Sequence, residues 1–182
     1  ALQREVAEAL GFGAKADLHS VEVFMREYYL HARTIHRLYQ NISHRFREMV
    51  EPARFTFART EKLSDLFFRV EDTVSVEPDV QRLATAEEVL EAFALSSEHE
   101  IDLSVRLRRV IANSTGVFTD EQRHSPACAS LFRRIIASHR VARTLYDMNE
   151  LSVLAAYLPE WGELVAFFQH NMYHYFTADE HT

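Results

Sequence analysis

The sequence predicts an all-α fold, a helical bundle with one long helix and a small β-hairpin. Three observations carry that reading. Glycine and proline number four each in 182 residues, and sheets or irregular folds draw more heavily on such turn residues. Val21, Met25, Tyr28, Ala32, Ile35, Tyr39, Ile42, Phe46 and Met49 recur in alternating steps of four and three, the spacing of a helix with one apolar stripe. Serine or threonine caps stand ahead of apolar runs at Thr85, Ser97 and Ser125.

Taken in order, residues 1–11 read as a short helix closed near Gly11 and Gly13. The stripe from 21 to 49 follows, with Asp17 or Ser20 available as a cap and Pro52 ending the run. Phe24 and Leu38 widen the stripe, which suits a globular bundle better than a two-stranded seam. It is expected to be the main buried helix. His31, His36 and His44 lie along it as ordinary helix residues, with His36 expected partly buried beside the stripe. Residues 66–76, LFFRVEDTVSV, place β-branched and aromatic residues on both sides of Glu71-Asp72. They read as a hairpin of two short strands that must pack on helices. Thr85 with Glu88 forms a capping box, and Ser97 with Glu100 is expected to form another before Ile101, with Gly116 closing that helix. Ser125-Pro126 opens a helix through Leu131, Phe132, Ile135 and Ile136. Val141, Leu145 and Met148 lie on the next, and Pro159 opens the last. The expected domain boundary is near Leu158, giving 1–157 as a helical region and 158–182 as the start of another domain.

Composition excludes several function classes. An apolar content of 47% is that of a globular chain. The single cysteine, Cys128, rules out an internal disulfide and a cysteine-cluster metal site, and fits a reducing compartment. No apolar run approaches the ~20 residues of a membrane span. The opening ALQREVAEALGF carries charges throughout, unlike a signal peptide, so a cytoplasmic location is expected. The net charge of −7 argues against a general nucleic-acid binder. Residues 26–59 nevertheless hold seven arginines and three acids, which read as a solvated face or as a surface for phosphate or nucleic acid.

The densest run of chemically capable residues is 158–182, LPEWGELVAFFQHNMYHYFTADEHT. It contains His170, His174, His181, Asp179, Glu180, Tyr173 and Tyr175. The run resembles the start of the HD domain in bacterial PII-protein uridylyltransferase/uridylyl-removing enzymes. Leu158, Pro159, Glu160, Gln169, Tyr173, His174, Thr177, Asp179, Glu180, His181 and Thr182 match that family's pattern. Asn171, Phe176 and Ala178 depart from its usual Asp, Tyr and Val. The blocks Phe24-Met25-Arg26-Glu27-Tyr28-Tyr29-Leu30-His31-Ala32-Arg33 and Leu145-Tyr146-Asp147-Met148-Asn149 add support. Ser152 stands where the related enzymes usually have glycine, which predicts a tighter or shifted turn there.

The resemblance implies a parent enzyme that transfers UMP from UTP to a tyrosine of the PII signalling protein and hydrolyses it off, responding to glutamine and using Mg²⁺ or Mn²⁺. It makes 1–157 the helical linker between the nucleotidyltransferase and HD domains, and 158–182 the first helix of a truncated HD domain. The related Gly-Ser loop and Asp-x-Asp pair of the transferase site do not occur here, so the 182 residues are expected to be inactive alone, without a complete catalytic set or a tightly bound cofactor. His181 matches the first metal ligand of the HD pattern; the following His-Asp pair is missing from this chain.

Rival readings of the same residues are a His170/His174 metal pair, with Asp179 as a further ligand, and a Cys128–His124 catalytic pair. Structural roles are preferred for both histidines of the first pair, with His174 bonded within the fold and His170 near the surface. Nothing supplies an oxyanion site to the second. At the level of the whole chain the alternatives are a non-catalytic helical interaction module and a truncated HD-type phosphohydrolase. Membrane partners are not expected, and nucleic acid is disfavoured.

Overall fold

The computed structural model describes residues 2–13, 20–50 and 60–164. The chain is mostly helical with a small sheet, as the sequence predicts, and divides into two compact units, Ala1–Val50 with Glu160–Thr182, and Glu51–Pro159. No described helix is long and apolar enough to cross a membrane.

In the first unit, α1 (Leu2–Ala9) ends on Gly11 in the left-handed region at φ +78°. The Phe12 N–H then reaches back to the Ala7 carbonyl at 2.9 Å and the Gly11 N–H to that of Glu8 at 3.1 Å. These bonds satisfy carbonyls that the helix end leaves open. Phe12 packs edge-on against Phe24 of α2 (Ser20–Val50) at 5.4 Å. Val21 and Met25 are buried beside it, flanked by Phe24 and Tyr29.

Beyond Met25 the stripe opens. Tyr28, Ile35, Leu38, Tyr39, Ile42 and Phe46 are 55–67% exposed, so α2 is not the main buried helix that its periodicity predicts. His36 is exposed as well, against expectation. The reason is length. At about 1.5 Å per residue, the 8-residue α1 is about 12 Å long and the 31-residue α2 about 46 Å. The shorter helix covers only the first turns of the longer.

In the second unit the expected hairpin is present. β2 (Phe67–Val70) pairs antiparallel with β3 (Thr73–Val76), Phe67 facing Val76 and Val70 facing Thr73. Glu71 turns it at φ +53°. Two strands extend it into a sheet ordered β1-β2-β3-β4. β1 (Thr60–Lys62) is antiparallel to β2, and β4 (Asp102–Leu103) is parallel to β3. A parallel neighbour requires a crossover, and α3 (Ala86–Glu98) supplies it.

Helix α3 starts at the predicted capping box. Thr85 Oγ1 accepts the Glu88 N–H at 3.1 Å, and Glu88 Oε2 accepts the Thr85 N–H at 3.4 Å. The second box does not form. Ser97 lies buried inside α3, and Glu100 takes the left-handed conformation at φ +56° just past its end. The Ile101 N–H bonds the Ser96 carbonyl at 3.1 Å, a helix stop in place of a start. Burial of the continuing α3 face overrides the local signal. The next helix, α4 (Val105–Ala112), is capped by Ser104, whose Oγ accepts the Leu107 N–H at 3.1 Å. It ends before Gly116, which sits in a 3-10 turn at Thr115–Val117.

The short α5 (Asp120–Arg123) leads to α6 (Pro126–Ile136), which begins at Ser125-Pro126 as predicted, with the Cys128 N–H on Ser125 Oγ at 3.0 Å. α7 (Val141–Glu150) and α8 (Val153–Tyr157) follow; α9 (Pro159–Leu164), whose residues from Glu160 belong to the first unit, opens at Pro159. Tyr157 packs its ring on Phe132 at 5.0 Å and on Phe118 at 6.0 Å. The core of this unit is α3 against α6, α7 and strands β3 and β4, with Phe67, Val74, Leu90, Phe93, Leu107, Ile111, Ile135 and Met148 fully or almost fully buried.

Ser152, between α7 and α8, has φ +60° and ψ +15°. The serine adopts the left-handed conformation in which glycine is at ease. The left-handed region costs an L-residue roughly 1–2 kcal/mol, and glycine's extra chain entropy returns about 0.5–1 of that. Ser152→Gly should therefore raise stability by up to about 1 kcal/mol. Ser152→Val should lower it, because a β-branched side chain fits that region worse. Urea midpoints of the two variants check this; a Val variant as stable as the Gly variant would contradict the assignment.

Candidate functional site

Three of the buried polar residues described in 51–159, Thr144, Asp147 and Asn149, lie on α7. Asp147 lies on the buried face of that helix with Thr144 and Met148 and is almost fully buried itself. A carboxylate there requires compensation. Arg108 of α4 donates Nη1 to Asp147 Oδ1 at 2.9 Å, and Arg143 one turn earlier on α7 brings Nε to Oδ2 at 3.3 Å. Two guanidinium groups thus hold the two oxygens of one carboxylate and fasten α4 to α7. The partner on α4 lies 39 residues away, and the sequence holds no local signal of the pairing.

A second network runs through hydroxyls. Thr144 donates to Ser97 at 3.3 Å, Ser97 donates to Ser138, and Ser138 donates to the Ile135 carbonyl at 2.8 Å. Each hydroxyl in this relay donates once, and the chain ends on a backbone acceptor. Ser97 and Ser138 also border an open cleft of about 380 Å³ lined by Glu98, Glu100, Arg134, Ala137 and His139. Arg134 grips Glu98 in the cleft with two parallel bonds of 2.7 Å. That bidentate grip holds the Glu98 carboxyl below the usual carboxylate range. Burial pushes nearby Glu91 the other way, partly offset by the Ser64 hydroxyl and Arg134. The strongest cation of the cleft is already engaged by a carboxylate, so the arrangement ties α3 to α6 and offers no activated nucleophile.

The sequence candidates fall as follows. Cys128 is fully buried, and that burial pushes its thiol above the usual range, away from the thiolate that nucleophilic chemistry needs. His124 is exposed, with Nδ1 2.7 Å from the Asp120 carbonyl. The Cys128–His124 pair is therefore not a catalytic pair. His31 is exposed on α2, 3.8 Å from Glu27. His170, His174, Asp179 and His181 lie outside the described residues, as does the His44 side chain. Among the described residues, no three His, Cys, Asp or Glu side chains come together in a way that holds a metal ion.

Comparison with known proteins gives two consecutive matches. Residues 67–157 match the family model described as the uridylyltransferase GlnD third domain, and residues 1–43 match the one described as GlnD PII-uridylyltransferase. Among curated relatives, the bifunctional uridylyltransferase/uridylyl-removing enzyme of Phenylobacterium zucineum (strain HLK1) is 33% identical over 192 aligned residues, covering 100% of this chain and 20% of the relative. Its counterpart in Caulobacter vibrioides (strain NA1000 / CB15N) is 32% identical with the same coverage. That of Azospirillum brasilense is 29% identical over 188 residues, again at 100% and 20%. The chain thus spans about a fifth of the length of the curated relatives it matches. No solved structure matches.

The Asp147 network makes a stability prediction. Asp147→Ala should cost about 2–4 kcal/mol, somewhat under a fully buried pair because Arg108 keeps part of its hydration. Arg143→Ala, with its side chain 54% exposed, should cost under about 1 kcal/mol. Equal shifts of the urea midpoint would show that the carboxylate is not the hub.

Proposed function

The chain belongs to the uridylyltransferase GlnD family, and from that membership we propose that it is a segment of a bifunctional uridylyltransferase/uridylyl-removing enzyme. The full-length protein transfers UMP from UTP to a tyrosine of the PII signalling protein and removes it by hydrolysis, in a cytoplasm whose glutamine level it reads. In this reading 1–157 is the helical scaffold between the two catalytic domains and 158–182 is the first helix of the HD domain.

The observation that carries the reading is the pair of family matches, 1–43 followed by 67–157, within an alignment that covers the whole chain. The geometry fits a scaffold. Asp147 holds two arginines across α4 and α7, the hydroxyl relay joins α3, α6 and α7, and Arg134 with Glu98 joins α3 to α6. These charges and hydroxyls are used in fixing helices to one another.

The divalent cation of the parent enzyme, Mg²⁺ or Mn²⁺, supplies phosphate polarisation and an acidified water where a complete donor set binds it. The described residues do not offer such a set. His181 is proposed as one ligand of it, with the remaining ligands outside this chain.

Two assays test the proposal. The purified 182-residue chain, given labelled UTP, Mg²⁺ and PII, should leave PII unlabelled; label above background would overturn the scaffold role. In the full-length protein, His181→Ala should abolish UMP removal and leave UMP transfer largely intact. Wild-type removal by that variant would eliminate His181 as a ligand.

A further inference from the structure

The feature left without a role is the open face of α2. Its stripe follows a strict seven-residue repeat, at 21, 28, 35, 42 and 49 and at 25, 32, 39 and 46. The first two positions are buried under α1, and the large side chains from Tyr28 to Phe46 are more than half exposed. Leu38 widens the open part to three columns. Monomers rarely leave more than a few hundred Å² of contiguous apolar surface open. This patch runs about 27 Å along the helix at 1.5 Å per residue, the length of a second helix and not of a small ligand.

We infer that this face seats an apolar helical surface flanked by acidic residues, supplied by the remaining four fifths of the full-length polypeptide. The inference rests on the scaffold reading above and gives that scaffold its attachment. Three observations select this occupant. The family model matching residues 1–43, which hold α1 and most of the stripe, differs from the one matching 67–157. The relatives are about five times as long as this chain, so a large partner surface exists in the same polypeptide. Between Arg26 and Phe46 the sequence holds Arg26, Arg33, Arg37 and Arg45 against the single acid Glu27. A second copy of α2 would bring like charges together, whereas an acid-flanked partner would neutralise them.

The test compares one double variant, Ile35→Asp with Ile42→Asp, in two proteins. In the 182-residue chain both positions face solvent, so the variant should melt within a degree or two of wild type. In the full-length protein the same pair should lower the melting temperature by several degrees and speed proteolytic cleavage within α2. An unchanged full-length melt would overturn the inference. The scaffold reading is judged separately, by UMP transfer in the unmutated full-length protein. Sedimentation of the wild-type 182-residue chain gives a further check. A monomer is expected. A dimer that the double variant dissociates would make a second copy the occupant and overturn the inference, as would binding to anionic phospholipid vesicles that the variant abolishes.

Discussion

Nine of the thirteen residues of α3 are buried, and its last two buried positions are serines. Hydroxyls in that setting must bond protein atoms, since an unmade bond costs roughly 1–3 kcal/mol each. Ser96 donates to the Ile101 carbonyl at 2.6 Å, and Ser97 enters the relay between Thr144 and Ser138. These bonds fix where neighbouring segments lie. The first pins the turn that sends the chain into β4, so the parallel pairing with β3 follows from it. The second aligns α7 and the end of α6 against α3. Asp147 then locks α4 to α7 from the other side.

Much of this was legible in the sequence where the determining physics is local. The Thr85–Glu88 box, the Ser125-Pro126 start, the stop at Gly11 and the hairpin across Glu71-Asp72 all act over a few residues. The Ser97–Glu100 box has an equally good local signature and fails, because a buried helix face outweighs a cap worth about 1 kcal/mol. Strands β1 and β4, three and two residues long, are too short to show a period of two. The partners of Asp147 and Ser97 lie 39 and 41 residues away, and a single sequence holds no record of such pairings.

The candidate site was less legible than the fold. Cys128 and His124 have a suggestive spacing, but burial of one and exposure of the other remove the chemistry. The histidines of 170–181 carry the resemblance to the HD pattern and lie outside the described residues. What the structure adds is a class of polar residues that sequence reading passes over. Arg108, Arg134 and Arg143 resemble solvated surface charges in sequence, and each is committed to a carboxylate in the fold.

The exposure of α2 has a different origin. Periodicity reports which face of a helix is apolar; it does not report what lies against that face. How much of a stripe is buried depends on how much of it another element covers, and α2 is 31 residues long. Helix α3 is covered within residues 51–159, and its apolar residues are buried. Helix α2 packs against α1 at its first turns, and its large apolar side chains at 28, 35, 38, 39, 42 and 46 are more than half exposed. The two helices therefore differ in how far their stability is contained in this chain. Burying a Leu- or Phe-sized side chain is worth about 1.5–3 kcal/mol. For α3 that contribution is realised by residues on this chain, while the large apolar side chains of α2 from Tyr28 to Phe46 leave most of it unrealised.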